Sequence, residues 1–117
     1  MYKWPVGLSP NEFCGLVVEA ITFSINTITI NFGQDYGVTV ESSIRMKIKD
    51  AEEEVSIPPT STRLMSLVGK TVQVSTVDAD GASLLLQFGE GCQVRLEGGD
   101  KEYECFHINA KGKEFVI

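Results

Sequence analysis

One histidine and three cysteines bound the nucleophilic and metal chemistry open to this 117-residue chain. His107 stands two residues from Cys105, so on a strand both side chains would project from the same face. A thiolate–imidazole pair is the chemistry that such a couple could perform. Neighbours on one strand face lie roughly 6–7 Å apart, too far for direct proton transfer. The expectation is therefore that Cys105 packs as a small apolar group and His107 sits at a sheet rim. Cys92, Cys105 and His107 match no zinc spacing and lack an obvious fourth ligand, so neither a metal nor a cofactor is expected.

The glycines give no phosphate loop. Phe88-Gly89-Glu90-Gly91 and Glu97-Gly98-Gly99-Asp100 follow apolar stretches, are flanked by acids and lead into no helix. A phosphate cradle needs a helix N-terminus after its glycines, with a lysine in reach. Carboxylates are plentiful instead. Asp78 with Asp80, Glu102 with Glu104, and the run Asp50-Ala51-Glu52-Glu53-Glu54 are close in sequence. General acid–base work would require one of them in an apolar pocket, and no such pocket can be read from the pattern. The common reading of such acids is a solvated surface; the sharper one is a recognition patch for a basic partner. Asp50, Glu52, Glu53 and Glu54 are the leading candidates for that contact, with Asp35, Asp78 and Asp80 on turns as secondary ones.

The elements carrying these residues repeat. Thr27-Ile28-Thr29-Ile30-Asn31-Phe32-Gly33 aligns with Ser83-Leu84-Leu85-Leu86-Gln87-Phe88-Gly89, and Val38, Val40 and Glu41 align with Val94, Leu96 and Glu97. Upstream, Gly15 and Val18 match Gly69 and Val72. This is the pattern of a duplication. Within each copy the apolar period is two, the mark of strands. Ile28, Ile30 and Phe32 point one way, as do Leu84, Leu86 and Phe88. Val38, Val40, Ile44, Met46 and Ile48 keep one parity against Thr39, Glu41, Arg45, Lys47 and Lys49. Cys92, Val94 and Leu96 repeat it. Two C-terminal strands, 102–108 and 113–117, follow, joined by a turn over 109–112.

Short helical turns introduce the copies. Ser9-Pro10-Asn11-Glu12 reads as a capping box ended by Gly15, and 61–68 as a turn ended by Gly69. The acidic and proline-rich stretch 50–60 reads as a loop between the halves, 9–50 and 61–117. The expected fold is mostly β: an antiparallel sandwich or partly open barrel of about eight or nine strands, built from two similar halves with one or two short helical turns. It forms a single domain over 1–117, because neither half has enough apolar surface to stand alone.

Composition narrows the partners. Ten Lys plus Arg against sixteen Asp plus Glu give a net charge of −6, which argues against nucleic acid and anionic membranes. No apolar run is long enough for a membrane helix, and residues 1–10 lack the pattern of a secretory signal. A cytoplasmic protein with free thiols is expected. Its oligomeric state stays open.

Leu67-Val68-Gly69-Lys70-Thr71-Val72, the stretches 84–89 and 94–97, and Glu102-Tyr103-Glu104-Cys105-Phe106-His107-Ile108 resemble a family of small bacterial β-rich domains of unknown function. The resemblance runs from about Leu8 to Ile108, with Cys105 where the pattern has serine. In size and acidity the chain is also similar to immunity proteins of bacterial toxin systems. That similarity implies a non-enzymatic binding protein that neutralises a basic toxin domain, such as a nuclease. The alternatives are a β-barrel module holding a small molecule between its halves and, last, an enzyme using Cys105 and His107.

Overall fold

A computed structural model describes residues 4–5, 7–33, 35–55, 57, 62–79, 81–89, 91–98 and 105–117. Alternation of β-branched and polar residues builds most of its strands. In chain order they are β1 (Ala20–Phe23), β2 (Ile28–Gly33), β3 (Tyr36–Val40), β4 (Ile44–Ile48), β5 (Ala51–Val55), β6 (Val74–Val77), β7 (Leu84–Gly89), β8 (Cys92–Leu96), β9 (Phe106–Ala110) and β10 (Lys113–Val116). They form two five-stranded antiparallel sheets with the orders β1-β2-β3-β9-β10 and β5-β4-β8-β7-β6. The result is an open β-sandwich.

The internal repeat is visible in the topology. Each half gives three consecutive strands to one sheet and sends its last hairpin across to the other. Equivalent strands make equivalent pairings: Val40 faces Phe106 and Val38 faces Ile108, while their counterparts Leu96 and Val94 face Ile44 and Met46. Both β2–β3 and β7–β8 shift register at the same point, Asn31/Gly33 and Gln87/Gly89. Gly33 and Gly89 adopt φ of +74° and +88° there, a conformation in which a side chain is strained. A Cβ on either would also run into the side chain of Glu19 or Gln73, which are themselves equivalent.

Ile28, Ile30, Phe32, Val38, Val40, Ile44, Met46, Leu84, Leu86, Val94, Leu96, Phe106 and Ile108 fill the space between the sheets, as their parity predicts. Phe13 stacks obliquely on Phe32, with centroids 5.3 Å apart, and meets the edge of Tyr36 at 6.1 Å. Trp4 packs against this core and donates its indole N–H to the Leu8 carbonyl. Cys92 and Cys105 are buried and Cys14 is exposed.

The structure corrects several local expectations. There are ten strands among the described residues, against about eight or nine expected. Strands β1 and β6 are mostly exposed edges without an alternating apolar pattern, so periodicity does not reveal them. The acidic run is not a loop. Ala51–Val55 forms edge strand β5, where Glu52 and Glu54 lie opposite Lys47 and Arg45 of β4, a favourable cross-strand placement of unlike charges. The single parity from Val38 to Ile48 hides a crossing near Ser42-Ser43, where the chain passes between sheets.

Residues 64–67 form a 3₁₀ turn, but Ser9–Gly15 makes only hydrogen-bonded turns. Its capping box does not close, because the Glu12 carboxylate accepts from the Tyr36 hydroxyl and Ser9 Oγ bonds Asn11 Oδ1. The last hairpin is shifted, with β9 over Phe106–Ala110 and its turn at Lys111-Gly112. Residues 102–104 lie outside the described residues.

Candidate functional site

The two sheets expose outer faces that occupy equivalent places in the two halves. Their side chains differ. On the second sheet, Arg45 of β4 and Arg95 of β8 stand opposite each other. The Nε of each lies 3.1 Å from one oxygen of Glu97. Arg95 also pairs with Asp78 and donates to Ser83 Oγ at 3.1 Å. This face carries its own counter-charges. Lys47, Lys49, Gln73, Gln87 and Gln93 line a shallow polar depression beside it.

On the first sheet the same positions hold other residues. Thr39 replaces Arg95, His107 replaces Arg45, and Glu41 takes the place of Glu97. Thr39 and His107 are again opposite each other. Exchanging a long arginine for a threonine leaves room above the sheet, and an open groove of about 820 Å³ lies there. Its floor includes Thr29 and Thr39, whose hydroxyls are 3.1 Å apart. Glu19, Asp35, Glu41 and Glu114 line it, and no lysine or arginine does among the described residues.

His107 sits within the groove between two carboxylates. Its Nε2 is 3.5 Å from Glu41 and its Nδ1 is 3.4 Å from Glu114. The imidazole is therefore on the outer face, while Cys105 is 3% exposed within the core. At one end the Tyr36 hydroxyl donates to Glu12 Oε1 at 2.9 Å. Burial and that carboxylate push the Tyr36 phenol above its ordinary range, with Lys111 partly opposing. Burial likewise raises the Cys92 thiol, which Lys70 offsets in part. A raised thiol is a poor nucleophile at neutral pH.

The acids singled out in the sequence do not converge. Asp35 lies in the groove, at the β2–β3 turn, with φ of +68°. Asp50 is exposed at the β4–β5 turn, and Glu52 and Glu54 continue along β5 on the other sheet. Glu53 ties β5 to the 3₁₀ turn, accepting from Thr62 Oγ1 at 2.6 Å and pairing with Arg63 at 3.6 Å. Asp78 holds Arg95 at the far end of the second sheet. Asp80 lies outside the described residues.

Sequence reasoning missed Glu19, Glu41 and Glu114 as a group. They come from the approach to β1, the end of β3 and β10, so no local run unites them. The alignment of Glu41 with Glu97 was visible, and with it Thr39 against Arg95, which was the available signal.

One family model, described as a family of unknown function (DUF6188), matches residues 9–117. The chain belongs to this family. The matched stretch spans both halves of the repeat. No curated protein matches the chain significantly. Nor does any solved structure. No helix among the described residues is long and apolar enough to cross a membrane.

Proposed function

We propose that this DUF6188 member is a non-enzymatic binding protein of the bacterial immunity type, acting in the cytoplasm, whose groove on the first sheet receives a basic toxin domain. One observation carries the reading: Glu19, Asp35, Glu41 and Glu114 converge on one open groove without a lining lysine or arginine among the described residues. Charge of one sign in a concave surface steers an oppositely charged partner and speeds its association. A toxin domain that handles nucleic acid carries the cationic surface that such a groove complements.

The groove is a better anchor for this contact than the Asp50–Glu54 run. Glu52 and Glu54 already face Lys47 and Arg45, and Glu53 is held by Thr62 and Arg63. The charged β5 edge also has a local use, since charge on an edge strand discourages pairing with other chains. Apolar side chains pack between the two sheets.

Calorimetry of the full chain with the product of the adjacent gene tests the proposal. One-to-one binding that weakens by about tenfold or more between low and high salt is expected, because screening shortens the reach of exposed charges. Binding that ignores salt, or no binding at micromolar concentration, would reject it.

A further inference from the structure

The duplicated half supplies a template for what the groove holds. On the second sheet, Glu97 accepts the Nε of both Arg45 and Arg95 at 3.1 Å. Its counterpart Glu41 has Thr39 and His107 at those two positions, in the same cross-strand register. Glu97 is 25% exposed and Glu41 42% exposed. Both halves carry the carboxylate, but the first has Thr39 at the position where the second has Arg95.

The geometry points to a guanidinium-binding site in the groove, in which an arginine of the partner takes the place that Arg95 occupies in the other half. The inference rests on the proposed binding function and specifies its chemistry. A guanidinium is planar and carries five N–H donors in a fixed fork, which suits a site rich in acceptors. Glu41 borders the position, the Thr29 and Thr39 hydroxyls line the same groove, and Glu114 lies beyond His107, whose ring stands between the two carboxylates. Lysine, a compact and strongly hydrated point charge, cannot make the planar contact.

The test is an NMR titration of the full chain with N-acetyl-arginine amide and, separately, N-acetyl-lysine amide. Saturable shifts at the amides of Thr39, Glu41 and His107 are expected with the arginine probe, with affinity about fivefold weaker or more for lysine. Thr39→Arg should abolish them, because the chain's own guanidinium then fills the site as Arg95 does. Glu41→Gln, at a more exposed position, should weaken arginine binding by about tenfold, roughly the loss of one charge-assisted contact. It keeps the test open if Thr39→Arg fails to fold.

Equal affinity for the two probes, or unchanged binding in a folded Thr39→Arg variant, would overturn the assignment. The two proposals separate when the same variants meet the basic partner. If Glu41→Gln with Glu114→Gln loses the partner but Thr39→Arg keeps it, the groove reading stands and the arginine site falls. If all bind alike, both fall.

Discussion

Val17 and Thr71 face each other across an isolated antiparallel bridge, and they are equivalent residues of the two halves. The hydrogen bonds around them are reciprocal. Val18 N–H donates to the Lys70 carbonyl and Val72 N–H to that of Leu16; Gly69 N–H donates to Val18 and Gly15 N–H to Val72. An internal two-fold axis therefore passes between Val17 and Thr71. The same symmetry recurs at the sheet ends, where Lys49 N–H donates to Gly91 and Lys111 N–H to Asp35.

Because the halves exchange hairpins, the fold should unfold as one unit. Ile30 and Leu86 occupy equivalent, fully buried sites on β2 and β7. Replacing either by alanine should cost about 2–5 kcal/mol. Urea denaturation followed by fluorescence and circular dichroism should give coincident single transitions for both variants. A two-step transition in which Ile30→Ala shifts one step and Leu86→Ala the other would contradict the shared core.

Stability should decline on the alkaline side. The folded chain holds the Cys92 and Tyr36 protons more tightly than the unfolded chain, since burial raises both groups above their ordinary values of 9.0 and 10.0. Their contributions are complete below those values. They are lost as pH rises through them, because the unfolded chain ionises first. The midpoint for urea should fall from about pH 9 upward. Cys92→Ala should flatten the first part of that fall and Tyr36→Phe the later part.

Acids of the β5 run should behave differently from one another. Glu53→Gln weakens contacts to Thr62 and Arg63 and should lower stability by about 0.5–1.5 kcal/mol. Glu52→Gln and Glu54→Gln touch only exposed cross-strand charge pairings, and each should change it by about 0.5 kcal/mol or less. Thermal melts at neutral pH distinguish the two classes. Equal effects at all three positions would show that Glu53 has no special role.

Much of the architecture was legible because burial follows parity. The repeat around Phe32-Gly33 and Phe88-Gly89, the inward set from Val38 to Met46, and the pairing of two similar halves all come from side chains that must leave water. Edge strands β1, β5 and β6 escaped that logic. They bury little, so backbone pairing and cross-strand charge, as between Lys47 and Glu52, place them instead. The groove was hidden for a related reason. Glu19, Glu41 and Glu114 lie far apart in sequence, and only the exchange of β9 and β10 into the first sheet assembles them. The Asp50–Glu54 run drew attention as a local cluster, although its members face different neighbours.

If the acidic groove is the contact surface, hydrogen exchange of the chain, alone and saturated with the adjacent gene's product, maps it directly. Added protection is expected along the outer face of the first sheet, at Thr39, Glu41, His107 and Glu114, with β5 and the second sheet unchanged. Protection centred on Ala51–Val55 or on the Arg45–Arg95 face, with the groove untouched, would contradict it.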